Sequence, residues 1–442
     1  MILPTEVPSN RTAATASRYI QTGLLFLVGA AAVILLHLPE LMAAPRHNPV
    51  TLVLAHLFFL GFGTLITFGV LGQMIQVITG QPIEAGHHKE TAYALLVPGI
   101  LVQTAGFAVW MPWVITVGGA LVVAGTFLFA VPFLAPLAKH RRNDRTALFI
   151  LFALFFLMGT VLFGLLMALQ LEKVWSSWLF LNGFIAHMLL GGLGWFTGIT
   201  IGVSYKLIPM FTTSANLPDE RVRRVFLLYN GGLVILLTGA ALSWPSVGLL
   251  GAGGVLAAIV LYGLDVRTML QRRLRKHLGA GMRQSQLAVG HLVLATLLFA
   301  GLLAGWAAGA PWVATAAAQR LLVAAGMLFA LGWIGSMIAG MLAKIAPMLV
   351  WLQVYADRAG DPNLPTIGDM IDEQAVGIGG WAYQAGVVLV AGAIAAGSQL
   401  LGLAGAAILL FGVVLLALTF FWVWAPTDVP QPASAPGAPE TR

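Results

Sequence analysis

One pattern occurs three times in this chain, at intervals of about 135 residues. HLFFLGFGTLITFGVLGQMIQ begins at His56, LLGGLGWFTGITIGVSYKLIP at Leu189 and MLFALGWIGSMIAGMLAKIAP at Met327. Aligned without gaps, the windows share a Leu-Gly-aromatic triplet: Leu60-Gly61-Phe62, Leu193-Gly194-Trp195 and Leu331-Gly332-Trp333. A second shared glycine follows at Gly69, Gly202 and Gly340, and then a long polar residue at Gln73, Lys206 and Lys344. The last two windows add Pro209 and Pro347. A repeat of this kind in an apolar chain predicts similar helical units around a shared centre.

The medium those units fold in follows from composition. Hydrophobic residues make up 59% of the chain and charged residues only 9%. Only helices or closed barrels satisfy every backbone group in lipid, and a helix needs about 20 apolar residues to cross. Twelve such runs lie between residues 19 and 424. The expected fold is therefore an all-α polytopic membrane protein with about 12 transmembrane helices, in three pseudo-repeated four-helix units at about 19–137, 146–266 and 284–424. Residues 1–18 read as a cytoplasmic tail with no cleavable signal, and 425–442 as a disordered Pro/Ala-rich tail.

Charge sets the expected orientation. With both termini inside, only Arg46, Lys173 and Arg320 of the 23 basic residues fall in outer loops. The net charge of +7 follows from that bias. Runs such as 141–145 (RRNDR) and 272–277 (RRLRKH) are read as topology determinants touching anionic lipid, not as nucleic-acid contacts. Lys206 and Lys344, near the inner ends of their spans, are expected to snorkel and to cap inner helix ends. IGDMIDEQ, in the longest inner loop, is a candidate start of a short interfacial helix.

Few side chains remain for chemistry. There are no cysteines, which excludes disulfides, thiolate metal sites and cysteine nucleophiles. The sixteen carboxylates are expected in loops, tails or helix ends, with Asp265 at the inner edge of the eighth span nearest to an exception. That distribution argues against an ion-coupled transporter, which needs an acid near the midplane. His56, His187 and His291 lie inside spans and are candidate metal ligands. By helical rise, His56 lies roughly 9 Å and His187 roughly 14 Å below the outer surface, so both could address one site. The alternative for each is a hydrogen bond to a neighbouring helix. Met327 shares the column of His56 and could supply a thioether, although a methionine there is also ordinary core filling. Gly61, Gly194 and Gly332 would let a flat ligand, or simply another helix, approach closely.

Twelve spans, both termini inside, threefold repetition and histidines in the second and sixth spans together resemble subunit I of the haem-copper oxidases. HLFFLGF, GVSYKLIPMF and AKIAPMLVW look closer to divergent bacterial relatives of that superfamily, including the NnrS-like membrane proteins linked to nitric oxide metabolism. The resemblance implies a bacterial inner-membrane protein binding haem b. His56 would be an axial ligand, with His187 matching the copper histidine or supplying the second axial ligand. The seventh span has no histidine, and the usual pair of the tenth would fall at Ala325 and Met327. A copper with one histidine left lacks the several imidazoles such sites use. Oxygen or nitric oxide reduction of the usual kind is therefore not expected. The expected function is electron transfer or nitric oxide and haem handling, as an oxidoreductase if the chain is an enzyme. A quinol or cytochrome donor and a membrane-protein partner go with it. The alternative is a non-haem transporter or a respiratory-complex assembly scaffold.

Overall fold

The computed structural model describes residues 10–43, 48–79, 87–140, 144–361 and 363–424. Arg46, His47, the first three residues of RRNDR and both outermost tails lie outside them. The described chain is all helical, with twelve helices long and apolar enough to cross a membrane. In order they are α1 (Asn10–Ala43), α2 (49–79), α3 (His88–Val109), α4 (Pro112–His140), α5 (Arg145–Leu169), α6 (Ser177–Thr212), α7 (Asp219–Ala241), α8 (Pro245–Gln271), α9 (Gly279–Ala307), α10 (Ala316–Val354), α11 (Glu373–Ala396) and α12 (Gln399–Val423).

Helix starts follow local chemistry. Asn48, Asp144, Ser176, Thr315, Asp372 and Ser398 each cap a first turn by accepting from a backbone N–H. Proline occupies the first helical position of α2 and α8. Helix α1 starts at Asn10, inside the segment read as a tail, because a polar, alanine-containing stretch can be helical without being apolar. Near its far end His37 leaves helical geometry, two residues before Pro39. In the loop before α11, Ile367–Met370 forms one 3-10 turn opened by a Thr366–Asp369 capping box. Thr366 donates to Asp369 Oδ2 through its hydroxyl at 2.7 Å and its N–H at 2.8 Å. Those two bonds hold the Asp369 carboxyl below its ordinary pKa.

Helices α2, α6 and α10 carry the three windows, and each changes winding at the same place. A π-helical stretch covers Leu57–Thr64, Leu190–Thr197 and Leu328–Gly335, eight matched columns in each case. Such i→i+5 turns are rare, and carbonyls such as those of Leu193 and Leu331, which accept from the N–H five residues on, take further hydrogen bonds besides. Hydroxyls supply them. Thr64 donates to Phe59 O at 2.9 Å, Thr197 to Gly192 O at 3.0 Å and Ser336 to Leu331 O at 3.3 Å, each five residues back. Tyr229 of α7 donates to Leu193 O at 2.7 Å, and Tyr383 of α11 to Leu331 O at 2.8 Å. Both tyrosines stand ten residues into their helices; the same place in α3 is Pro98.

The three helices also bond to one another through these turns. Trp195 Nε1 donates to Thr64 Oγ1 at 3.3 Å, and Trp333 Nε1 to Thr197 Oγ1 at 3.2 Å. A third joint of this type would run from position 62 to position 335. Those positions hold Phe62 and Gly335, which have no such donor or acceptor, and Phe58 packs close to Gly335 instead. Past the π turns the helices line a partly open cavity of about 90 Å³. Its lining comes from Ile66, Thr67, Val70, Leu71 and Met74 of α2 and their gapless counterparts between Ile199 and Leu207 and between Met337 and Ile345.

A buried ion pair ties α7 to α8. Asp265 is 2% exposed; it pairs with Arg221 and accepts from Tyr205 Oη at 2.8 Å. Asp265 thus lies six residues before the end of α8 and is deeper than the helix edge at which the sequence reading placed it. Helices α6 and α8 reinforce the contact through Ser204 and Tyr262, 2.9 Å apart.

Two consequences can be measured on detergent-purified protein by thermal or denaturant unfolding. Thr197→Val leaves the fully buried indole N–H of Trp333 without an acceptor and should destabilise by about 1–2 kcal/mol; an unchanged midpoint would remove the joint from the account. Arg221→Leu should destabilise more than Asp265→Asn. The first strands a buried carboxylate, whereas the second frees an arginine side chain that is one-third exposed and can turn to solvent. The reverse order would contradict this asymmetry.

Candidate histidine site

His56 is the last α-helical residue of α2 before its π turn. Its Nδ1 lies 2.7 Å from Leu52 O, one turn back. A carbonyl only accepts, so Nδ1 carries the hydrogen and Nε2 keeps a free lone pair. The ring rests against Phe107 of α3, with centroids 4.7 Å apart and planes tilted by 40°. Phe107, Ile115 and Ala168 form a small apolar cluster, separate from the main core, to which Leu52 and Val53 of α2 add. This cluster seats the first turns of α2 against α3, α4 and α5.

His187 stands in α6, three residues before its π turn. Its Nδ1 is 2.8 Å from Thr160 O of α5, which again assigns the hydrogen to Nδ1 and the lone pair to Nε2. The ring lies on Gly164 of α5. A Cβ at Gly164 would come within 3.0 Å of His187 Cε1, so glycine there keeps the ring in place. Both rings are half-buried. His56 thus lies against α3 and His187 against α5.

The remaining candidates are placed otherwise. His291 of α9 lies against α10, with Nδ1 3.2 Å from Gly332 O. A Cβ on Gly332 would lie 2.8 Å from His291 Cγ. One on Gly61 would lie 2.5 Å from Phe26 Cγ, and one on Gly194 2.6 Å from Phe156 Cβ. The three matched glycines thus each receive a ring from α1, α5 or α9, and His291 holds in the third window the place of Phe26 and Phe156 in the others. Met327 is half-buried at the end of the α-helical part of α10, in the column of His56. That column turns toward a neighbouring helix in α2, where His56 meets Phe107 and not the central cavity.

Chemically the site offers two imidazoles, each with one nitrogen fixed on a backbone carbonyl and the other presented. Anchoring one ring nitrogen in this way sets the tautomer that ligates a metal and orients the ring. Among the described residues no group of three or more histidines, aspartates or glutamates could hold a metal ion. A donor set of two imidazoles suits haem, whose iron takes four nitrogens from the porphyrin and needs one or two from the protein. It is too small for a copper site of several imidazoles.

The groups that position the histidines were not legible in the sequence. Phe107 and Gly164 carry no chemistry and had no signal beyond apolar patterning. Lys89 was missed as well. It stands on the first turn of α3 at 5% exposure, where a loop lysine was expected. The capping role expected of Lys206 and Lys344 takes the form of ion pairs: Lys206 with Asp144 at 3.5 Å, and Lys344 with Glu373 at 2.6 Å. No protein-family model matches the chain, and no curated protein matches its sequence.

Proposed function

We propose that this chain is a b-type haem protein of a bacterial inner membrane, built like subunit I of the haem-copper oxidases from three four-helix units but without a complete copper site. The observation that carries the reading is the His56–His187 pair, with both Nδ1 atoms anchored on backbone carbonyls and both Nε2 atoms free. Matched π turns in α2, α6 and α10 and a cavity lined by equivalent columns support the threefold arrangement. The basic bias of the loops supports cytoplasmic termini.

In this reading His56 and His187 would hold the haem, which would supply a one-electron carrier or a binding place for nitric oxide. Phe107 fixes the plane of the His56 ring, and Gly164 with Thr160 fixes that of His187. Electron transfer from a quinol or cytochrome donor, or handling of nitric oxide or haem, follows as the role. Electron-transfer partners within a membrane complex would dock on the lipid-facing helices. The second reading, a haem-free transporter or assembly scaffold, is favoured by one feature: the apolar cavity lined by α2, α6 and α10, which needs no haem to account for it.

A pyridine haemochrome spectrum of purified protein decides between them, and protein that folds and inserts without haem leaves the scaffold reading standing. If haem is present, His56→Ala should abolish or displace the Soret band while insertion persists. His187→Ala should convert a low-spin spectrum to one with an open coordination position. Full haem content with an unchanged spectrum in both variants would sink the assignment. Met327→Leu should leave spectrum and midpoint potential as they are, because the column it shares with His56 faces a neighbouring helix. A lost thioether charge-transfer band would instead make Met327 the partner of His56.

A further inference from the structure

The first turn of α3 holds a cation that has no counter-charge among the described residues. Lys89 is 95% buried from solvent by its 5% exposure, and its Nζ has no hydrogen-bond partner. The side chain passes over Gly72, where a Cβ would lie 3.2 Å from Nζ, and the ammonium stands 5.4 Å from the centroid of Phe133. An aromatic face offsets part of the desolvation of an ammonium but accepts none of its three hydrogens in a strong bond. The position worsens the balance. The N-terminus of α3 presents unpaired N–H groups and the positive end of the helix dipole. The acidic residue of the turn, Glu90, faces outward beside His87, 3.7 Å away.

The matched windows show what is missing. In the third window Lys344 reaches Glu373, the first residue of α11, and Glu373 also accepts from Ala280 N at 2.8 Å. In the first window the residue matched to Lys344 is Gln73, and the first turn of α3 holds His88, Lys89 and Glu90. A neutral amide replaces the lysine and Glu90 of this turn faces outward beside His87, so among the described residues no carboxylate takes the place of Glu373. Gln73 and Lys89 face a void of about 10 Å³, walled also by Tyr19, Gly69, Gly72 and Phe129. A void of that size holds one water-sized body. Tyr19 donates to Lys89 O at 2.8 Å, which fixes the backbone of the turn and leaves the side chain to the void.

We propose that this void is a binding site for one small monoatomic anion, chloride in the cell, held by the Lys89 ammonium and the N-terminus of α3. The anion takes the part that Glu373 plays in the third window, closing the contact between the ends of α2 and α3. The small volume favours a monoatomic anion over a polyatomic one such as phosphate. A water molecule fits the volume but supplies no charge to a buried ammonium.

The test is thermal unfolding of detergent-purified full-length protein in sodium chloride and in sodium gluconate at equal ionic strength. Chloride should raise the Tm of the unaltered chain by about 2–4 °C over gluconate. Lys89→Met should unfold at one temperature in both salts. Equal Tm values for the unaltered chain, or an undiminished chloride shift in Lys89→Met, would overturn the proposal. If Lys89→Met does not fold, crystals of the unaltered protein grown in bromide provide the decision. An anomalous peak within hydrogen-bond distance of Lys89 Nζ supports the site, and its absence rejects it.

Discussion

Backbone carbonyls that lose their usual helical partner have nowhere to turn inside a membrane, and the centre of this protein is organised around meeting that demand. Three helices widen into π turns at one shared place, and no water is at hand to satisfy what the wider turns release. Thr64, Thr197 and Ser336 answer from within their own helices; Tyr229 and Tyr383 answer from neighbours. The same threonines accept from Trp195 and Trp333, so satisfying one helix binds it to the next. The Leu-Gly-aromatic triplet thereby gains a physical meaning. Its glycine admits a ring from α1, α5 or α9, and in two windows its aromatic residue is an indole whose N–H crosses to the adjacent π turn.

Those turns also decide where the histidines point. His56 and Thr67 are eleven residues apart, close to three turns of an unbroken α-helix, and would then lie in line. Thr67 lines the central cavity, yet His56 meets Phe107 on another side. Eight residues of wider winding between them shift the phase. His56 therefore lies on the far side of α2, against α3.

Membrane class, helix number and approximate span limits were legible because they depend on composition and charge summed over long windows. The matched columns at Gly61, Gly194 and Gly332 were legible as close approaches, and the rings that fill them were not, because Phe26, Phe156 and His291 stand at unequal distances in sequence from their glycines. Nor could facing directions be read across a π turn that the 3.6-residue period does not announce. His56 and His187 were found by their rarity in apolar spans; their partners, Leu52 O and Thr160 O, are main-chain atoms that every residue carries. Asp265 was placed at a helix edge because charge reads as surface, whereas Arg221 and Tyr205 make its burial tolerable.

The seam at Phe62 and Gly335 differs from its two siblings, and the difference bears on how the chain assembles. Chains emerge from their N-termini, so α2 can meet α6, and α6 can meet α10, soon after each is made. The contact between α10 and α2 joins the last-made of the three to the first and has to wait. A hydrogen-bonded seam there would leave a bare indole or hydroxyl in lipid throughout that interval. With Phe58 beside Gly335, the waiting edge carries hydrocarbon and a backbone turn whose Leu331 carbonyl is already taken by Ser336 and by Tyr383 of the following hairpin. Ring closure then requires shape alone, and an early-made half can persist in the bilayer without a partner of its own sequence or a foreign one being recruited to quench it.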